Sequence, residues 1–369
     1  MKDVYLDYNA TAPVRPEVID FVASSMALVG NPSSVHGAGR KARNLVEKAR
    51  EQVAALVGAR ARDVIFTSGG TEANNQALGF MSGHKHFVSS IEHDSLLKSS
   101  AETQLLSVDG NGVIDLKQME SCLKDSQPAF VSVMAANNET GIVQPIKSIA
   151  DLVHEHSGFL HCDAVQAAGK MPFDKQTLGI DLLSLSSHKL GGPQGVGALI
   201  LGPGIDCPSF LTGGGQERSR RSGTENVAGI AGFGLATEIA KTSLDEFQQL
   251  RTLQNKLETG LKQLSNSVTV FSENVERTVN TTCFSWPELS ADKLLIQFDL
   301  ASIAVSSGSA CSSGKVKSSH VLKAMGVDDC LAGSAIRVSL GWNTRPEEID
   351  YFLQVFEKIV KRHTGKASK

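Results

Sequence analysis

Ile180-Asp181-Leu182-Leu183-Ser184-Leu185, running straight into Ser186-Ser187-His188-Lys189-Leu190-Gly191-Gly192-Pro193, is the stretch on which the reading of the fold turns. The first six residues are a short, mostly apolar run, as in a strand buried on both faces. Gly-Gly-Pro is a turn signal, so Lys189 stands where a strand ends and the backbone bends. An amine at a low-dielectric strand end is poorly hydrated, which favours its neutral, nucleophilic form and lets it hold an aldehyde as a Schiff base. A solvated lysine in a surface turn would look the same in these residues alone. The rest of the chain has to decide.

Working outward, the same kind of apolar run recurs from about residue 60 to 200. Strands are expected at Val64-Ile65-Phe66-Thr67, His86-Phe87-Val88-Ser89, Phe130-Val131-Ser132-Val133-Met134, Phe159-Leu160-His161-Cys162, Leu182 to Leu185 and Gly197-Ala198-Leu199-Ile200, with amphipathic stretches between them. That alternation predicts an α/β fold with a large, mostly parallel sheet covered by helices. A long helical tract is expected from Gly229 through Ala240 to about Leu264, with a charge-rich seam near Lys241 to Glu246. Beyond it the pattern reads as strand (Thr281 to Phe284), helix (Ala291 to Phe298), loop (Ser306 to Lys317), helix (Ser319 to Met325), strand (Ala335 to Leu340) and helix (Pro346 to Arg362). The expected division is a large α/β domain over 14–244 and a smaller α+β domain from 1–13 with 245–369.

Composition narrows the function class. The 369 residues are 41% hydrophobic, enough for a large core. A net charge of −3 gives no electrostatic bias toward nucleic acid or a membrane surface. The N-terminal residues carry no apolar signal region and no run is long enough to span a bilayer, so a cytoplasmic enzyme of small-molecule chemistry is expected. Cys122, Cys162, Cys207, Cys283, Cys311 and Cys330 are scattered without Cys-x-x-Cys pairs, which argues for free thiols. His161-Cys162-Asp163 resembles a ligand cluster, but neighbours on a strand point to opposite faces and no metal site is expected there.

Two further segments carry chemistry. The strand at Val64 feeds Ser68-Gly69-Gly70-Thr71-Glu72-Ala73-Asn74-Asn75, a glycine turn opening a helix, whose exposed N–H groups and hydroxyls suit a phosphate. It follows neither the Walker spacing nor the dinucleotide fingerprint, and a plain capped helix would read alike. Asp163 closes the strand from Phe159, where a carboxylate can face a ligand held over the sheet, keep a pyridine nitrogen protonated, or simply cap a helix. A phosphate turn, a strand-end aspartate and a strand-end lysine, in that order, are the parts required to hold pyridoxal 5′-phosphate.

At this point the chain resembles the NifS/IscS-like cysteine desulfurases, class V members of the pyridoxal-phosphate-dependent transferases of fold type I. The resemblance runs from Tyr5-Leu6-Asp7-Tyr8-Asn9-Ala10-Thr11 to Arg337-Val338-Ser339-Leu340-Gly341. Between them lie Gly30-Asn31-Pro32-Ser33-Ser34-Val35-His36, Thr67 to Glu72, Asn137-Asn138-Glu139-Thr140-Gly141, Ser186 to Lys189, Arg221-Ser222-Gly223-Thr224 and Ser306-Ser307-Gly308-Ser309-Ala310-Cys311. The resemblance implies that Lys189 anchors the cofactor aldehyde, and that Gly70, Thr71, Ser186 and His188 hold its phosphate, with Thr224 reaching in from the neighbouring subunit of a homodimer. It further implies that Asp163 pairs the ring nitrogen, Gln166 the ring hydroxyl, and that His93 stacks on the ring and shuttles protons beside Asn138. Arg337, helped by Asn31, would clamp the substrate carboxylate. Taken singly, His93 reads equally as a surface histidine, Asn138 as a turn former and Arg337 as half of a surface ion pair.

Cys311 selects the reaction. Its neighbours, Gly308-Ser309-Ala310 and Ser312-Ser313-Gly314, are small and polar, the composition of an exposed loop rather than of a buried thiol, and Lys315 and Lys317 favour its thiolate. In the family this segment carries the nucleophile. The implied chemistry has L-cysteine displace Lys189, Lys189 take the Cα proton, and Cys311 attack the substrate sulfur, leaving a persulfide and L-alanine. The sulfur would pass to an acceptor protein, an iron–sulfur scaffold or a carrier for tRNA thiolation. Two departures bear on that acceptor. Lys317-Ser318-Ser319 replaces the family's common Glu-Pro-Ser, and the sequence stops at Lys369 without the extension by which housekeeping members contact their scaffold. Three rival expectations stand beside this one: a class V aminotransferase, a selenocysteine lyase, and an inactive assembly partner.

Overall fold

The computed structural model describes residues 3–80, 83–99, 103–124, 126, 128–205, 208–307 and 319–365. The six apolar runs become strands of one seven-stranded sheet. Its order is Val64–Thr67, Gly197–Ile200, Leu182–Ser186, Phe159–Asp163, Ala129–Met134, Lys85–Ser89 and Gln104–Leu106. Gly197–Ile200 runs antiparallel to both neighbours and every other pairing is parallel. The seventh strand, Gln104–Leu106, escapes a periodicity reading because it is three residues long and mostly exposed.

Side-chain alternation divides the strands between two faces. Phe87, Val131, Val133, Leu160 and Leu183 meet Val46, Ala49 and Val53 of helix Gly37–Leu56, Ile149 and Val153 of helix Ile146–Glu155, and Phe233 of helix Val227–Thr242. Ile65, Val88, Phe130, Leu182 and Leu199 face the other way, onto Ala73 and Ala77 of helix Gly70–Phe80. Each fully buried aliphatic or aromatic side chain of this kind contributes roughly 1.5–3 kcal/mol. His161 interrupts the apolar pattern at no unmet polar cost, since its ring nitrogens lie 3.2 Å from Ser132 Oγ and 2.9 Å from Ser184 Oγ. Burial pushes its pKa down to about 4, so the ring is a neutral spacer between strands.

The expected long helix through Leu264 is instead three: Val227–Thr242, Leu244–Gln248 and Leu250–Leu264. The break falls where Thr242 Oγ1 and Ser243 Oγ turn back onto the carbonyls of Glu238 and Ile239, at 3.1 and 2.6 Å, competing with the backbone ladder. C-terminal to it, Ser306–Ser307, Ala335–Ser339, Thr281–Ser285 and Thr269–Val270 form a four-stranded antiparallel sheet. Helices Leu250–Leu264, Ala291–Asp299 and Pro346–His363 cover it through Leu257, Phe298, Phe352 and Phe356. Of the loop expected at Ser306 to Lys317, Ser306 and Ser307 are strand, and 308–317 lie outside the described residues.

The N-terminal segment ties the two sheets together. Val4–Tyr5 pairs in parallel with Ile303–Ala304, Asp7 bridges Ser339, and Ala12 N–H donates to His188 O at 2.9 Å. Residues 7–11 thus cross the C-terminal ends of the parallel strands, where open α/β sheets place their ligands.

Candidate active site

A cavity of about 330 Å³ opens at those strand ends, bounded by Asn9, Gly70, Thr71, Asn74, His93, Ser95, Asn138, Asp163, Gln166, Ser186, His188, Lys189 and Arg337 among others. Lys189 ends the short helical turn Ser187–Lys189 that follows strand Leu182–Ser186. The turn closes on glycines for steric reasons: Gly191 has φ +81, and a Cβ on Gly192 would lie 2.2 Å from Ser187 Oγ. Lys189 Nζ donates to the carbonyls of Asn9 and Ala10 at 2.5 and 2.6 Å.

Asp163 is 7% exposed at the floor of the cavity. Asn74 Nδ2 donates to its Oδ2 at 2.8 Å and Val165 N–H to its Oδ1 at 3.0 Å. Asn74 Nδ2 also donates to Ser95 Oγ at 2.9 Å, and Ser95 Oγ lies 2.8 Å from His93 Nδ1. Ser95 N–H donates to that same Nδ1 at 3.1 Å, so Nδ1 is an acceptor and a neutral His93 carries its proton on Nε2. The carboxylate and the histidine expected from sequence therefore belong to one hydrogen-bonded chain, through two residues, Asn74 and Ser95, that the sequence reading did not single out. Below them, burial followed by the charge of Asp163 pushes the fully buried Glu92 carboxyl well above its usual range.

Gly70 and Thr71 open helix Gly70–Phe80, presenting its first N–H groups to the cavity. A Cβ on Gly70 would stand 3.0 Å from Val165 Cγ2, so glycine keeps this corner open. Ser186 and His188 flank it. Burial, then the nearby Lys189 and Lys170, push the His188 pKa down to about 4, making it a neutral ring 3.1 Å from Thr11 Oγ1.

Arg337, in strand Ala335–Ser339, is 2% exposed. Its Nη2 pairs with Asp7 Oδ1 at 2.7 Å and its Nη1 donates to Asn138 O at 3.0 Å, while its Nε is buried with no partner among the described residues. Asp7 is itself held by Ser306 Oγ, at 2.7 Å. Asn9 is the other hub missed from sequence. Its carbonyl takes Lys189 Nζ and Gln166 Nε2, and its side chain meets Lys170, Asn280, Thr281 and the Asn138 carbonyl. The Asp-x-Asn pattern in an otherwise strand-like segment was the available signal.

Two expected residues lie elsewhere. Asn31 is exposed, its Oδ1 accepting from Ser33 N–H at 2.9 Å. Thr224 lines a separate cavity with Ser68, Glu217 and Arg221. That segment is fastened by Arg50–Glu217 at 2.7 Å and Arg221–Glu72 at 3.0 Å, across a backbone with φ between +44 and +65 at Glu217, Arg218 and Ser219. Cys311 lies outside the described residues. Just beyond its segment, Ser319 Oγ donates to the buried Glu139 Oε2 at 2.5 Å.

The family model of the class-V aminotransferases matches residues 4–352. The chain belongs to that family. Among relatives, a cysteine desulfurase IscS from Dictyoglomus turgidum is 38% identical over 376 residues, covering 98% of this chain and 95% of the relative. Cysteine desulfurase 2 of Trichormus variabilis is 40% identical over 375 residues, with 98% and 94% covered. The solved structure of a NifS-like protein from Rickettsia africae has a TM-score of 0.92 at 39% identity, covering 97% of this chain and 99% of that one.

Class-V aminotransferases of this type work with pyridoxal 5′-phosphate, and the cavity fits that group by its donor chemistry. One end offers N–H and hydroxyl donors at a helix start kept open by Gly70, suited to a phosphate. The floor offers a carboxylate with both oxygens held, suited to a protonated ring nitrogen. The wall offers one lysine resting on carbonyls.

Proposed function

We propose that this enzyme converts L-cysteine to L-alanine and passes the sulfur, as a persulfide on Cys311, to an acceptor protein. The observation that carries the reading is the Arg337 fork. Arg337 lines the same cavity as Lys189, Asp163 and His93, which is where an amino acid's carboxylate needs a cationic donor while its α-carbon reacts.

Gly70, Thr71, Ser186 and His188 would hold the cofactor phosphate, Asp163 the ring nitrogen and Gln166 the ring hydroxyl. When bound, the cofactor supplies an electron sink for the pair left at Cα. Lys189 would hold the cofactor's aldehyde and, as a free amine, would accept the Cα proton. His93, with Nδ1 fixed by Ser95, offers Nε2–H as a donor and can relay protons. Asp7 and the Asn138 carbonyl hold the Arg337 fork in place while it binds the substrate carboxylate. The Cys311 thiolate attacks the substrate sulfur: an S–S bond forms, the C–S bond breaks and its electron pair stays with the carbon that becomes the alanine methyl. The balance is cysteine plus a thiol giving alanine plus a persulfide, with no outside oxidant.

The acceptor, an iron–sulfur scaffold or a tRNA-thiolation carrier, and a cytoplasmic location are part of the same proposal. No helix among the described residues is long and apolar enough to cross a membrane. So is a homodimer in which Thr224 completes the partner's phosphate site. Met26, Leu28, Val29 and Val35 leave apolar surface exposed around Asn31, as a subunit interface would require.

Alanine and sulfide release from L-cysteine, with a thiol reductant present to discharge the persulfide, tests the reading. Wild type should release both, Lys189→Ala neither, and Cys311→Ala should lose sulfide release. Normal sulfide release by Cys311→Ala would exclude the persulfide route, and turnover confined to selenocysteine would favour the lyase.

A further inference from the structure

Lys170 is a buried amine that the chemistry above does not use. It lies beyond strand Phe159–Asp163, is 4% exposed, and its Nζ donates to two amide oxygens, Gln166 Oε1 at 2.5 Å and Asn9 Oδ1 at 3.2 Å. Among the described residues no carboxylate partners it. The charged groups acting on it are Lys189 and Arg337, and it acts in turn on His188. Burial first, then those two cations, push its pKa well below the usual lysine value. A lysine buried among neutral oxygens is unfavourable for the fold on its own account.

Its contacts determine how Gln166 is turned. A backbone carbonyl can only accept, so Gln166 presents Nε2 to Asn9 O, at 3.0 Å, and its oxygen faces Lys170. The same Asn9 carbonyl receives Lys189 Nζ at 2.5 Å. Lys170, Gln166, the Asn9 carbonyl and Lys189 therefore form one chain of contacts, and Gln166 is among the residues lining the cavity. Without the Lys170 donor the amide oxygen loses that partner, and among the described residues Asn9 O is what remains to oppose a flip.

We propose that Lys170 is a positioning residue for the cofactor linkage: it holds the Gln166 amide so that its N–H edge, not its oxygen, is available at the ring hydroxyl beside Lys189. This rests on the reading of Gln166 and Lys189 given above. An N–H donor at the ring hydroxyl stabilises that oxygen as an anion, which makes the adjoining linkage nitrogen less basic.

The test is the pH midpoint of the visible absorbance of holoenzyme loaded with pyridoxal phosphate. Lys170→Met should raise the midpoint by roughly half to one pH unit, the size of one hydrogen bond. Gln166→Leu should raise it similarly, and adding Lys170→Met to Gln166→Leu should raise it no further. Lys170→Arg, which keeps a donor, should return it toward wild type. An unchanged midpoint in Lys170→Met, or a full second shift in the double variant, overturns the proposal. If Lys170→Met does not fold, Lys170→Leu, which also lacks a donor, is read by the same criteria. A visible band that survives Lys189→Ala would instead remove the underlying reading of Lys189, so the two failures are distinguishable.

Discussion

Replacing Glu139 by glutamine should change how the stability of this protein depends on pH. Glu139 is 3% exposed, its Oε2 accepts from Ser319 Oγ at 2.5 Å, and burial raises its pKa from 4.5 to about 7 against the opposing pull of Ser319 and Arg337. Below pH 4.5 the carboxyl is protonated in the folded and unfolded chains alike. Between 4.5 and 7 the folded chain keeps a proton that the unfolded chain has released, so folding stability falls as pH rises, by about 1.4 kcal/mol per pH unit. Above about pH 7 both forms are ionised and the loss, roughly 3 kcal/mol, is complete. Glutamine cannot titrate but keeps an oxygen for Ser319. Denaturation midpoints of wild type and Glu139→Gln, compared at pH 4.5 and pH 8, isolate this residue from every other titrating group. The variant should gain roughly 3 kcal/mol relative to wild type between the two conditions. A difference between the proteins that stays constant across that range would refute the reasoning.

Two further changes bear on the cavity. Arg337→Gln removes the charged fork from the carboxylate site and should lower kcat/KM for L-cysteine by roughly 10²- to 10³-fold, chiefly through KM, and Arg337→Lys should not restore it because an ammonium cannot reproduce the planar geometry. Asn74→Ala takes one of the two donors from Asp163 and one from Ser95, and should weaken pyridoxal phosphate binding about tenfold by equilibrium dialysis, the value of one hydrogen bond to a charged group. Unchanged binding would mean that Asn74 serves only the helix.

How much of this was legible in the sequence depends on what each residue does. Strands such as Ala129–Met134 and Leu182–Ser186 are buried on both faces, so apolar runs mark them directly. The reversed direction of Gly197–Ile200 is set by which strands it lies between and leaves no trace in its own residues. Asp163 and Lys189 stood out as polar groups closing apolar runs. Asn9 and Asn74 did not, because they meet polar residues far off in sequence, Asn9 lying 180 positions from Lys189 and Asn74 89 from Asp163, and Ser95 did not because a serine two positions from His93 marks no pattern of its own. Asp7 read as a family marker, yet its use is to hold Arg337 from across the N-terminal crossing. Cys311 is assigned from its sequence neighbourhood, since its segment is outside the described residues.

The most direct measurement is therefore the mass of the Cys311-containing peptide after the holoenzyme meets L-cysteine without an acceptor. It should be heavier by one sulfur atom, with one alanine formed for each persulfide, and Cys311→Ser should show neither the added mass nor the burst of alanine. An unmodified peptide alongside stoichiometric alanine would contradict the account.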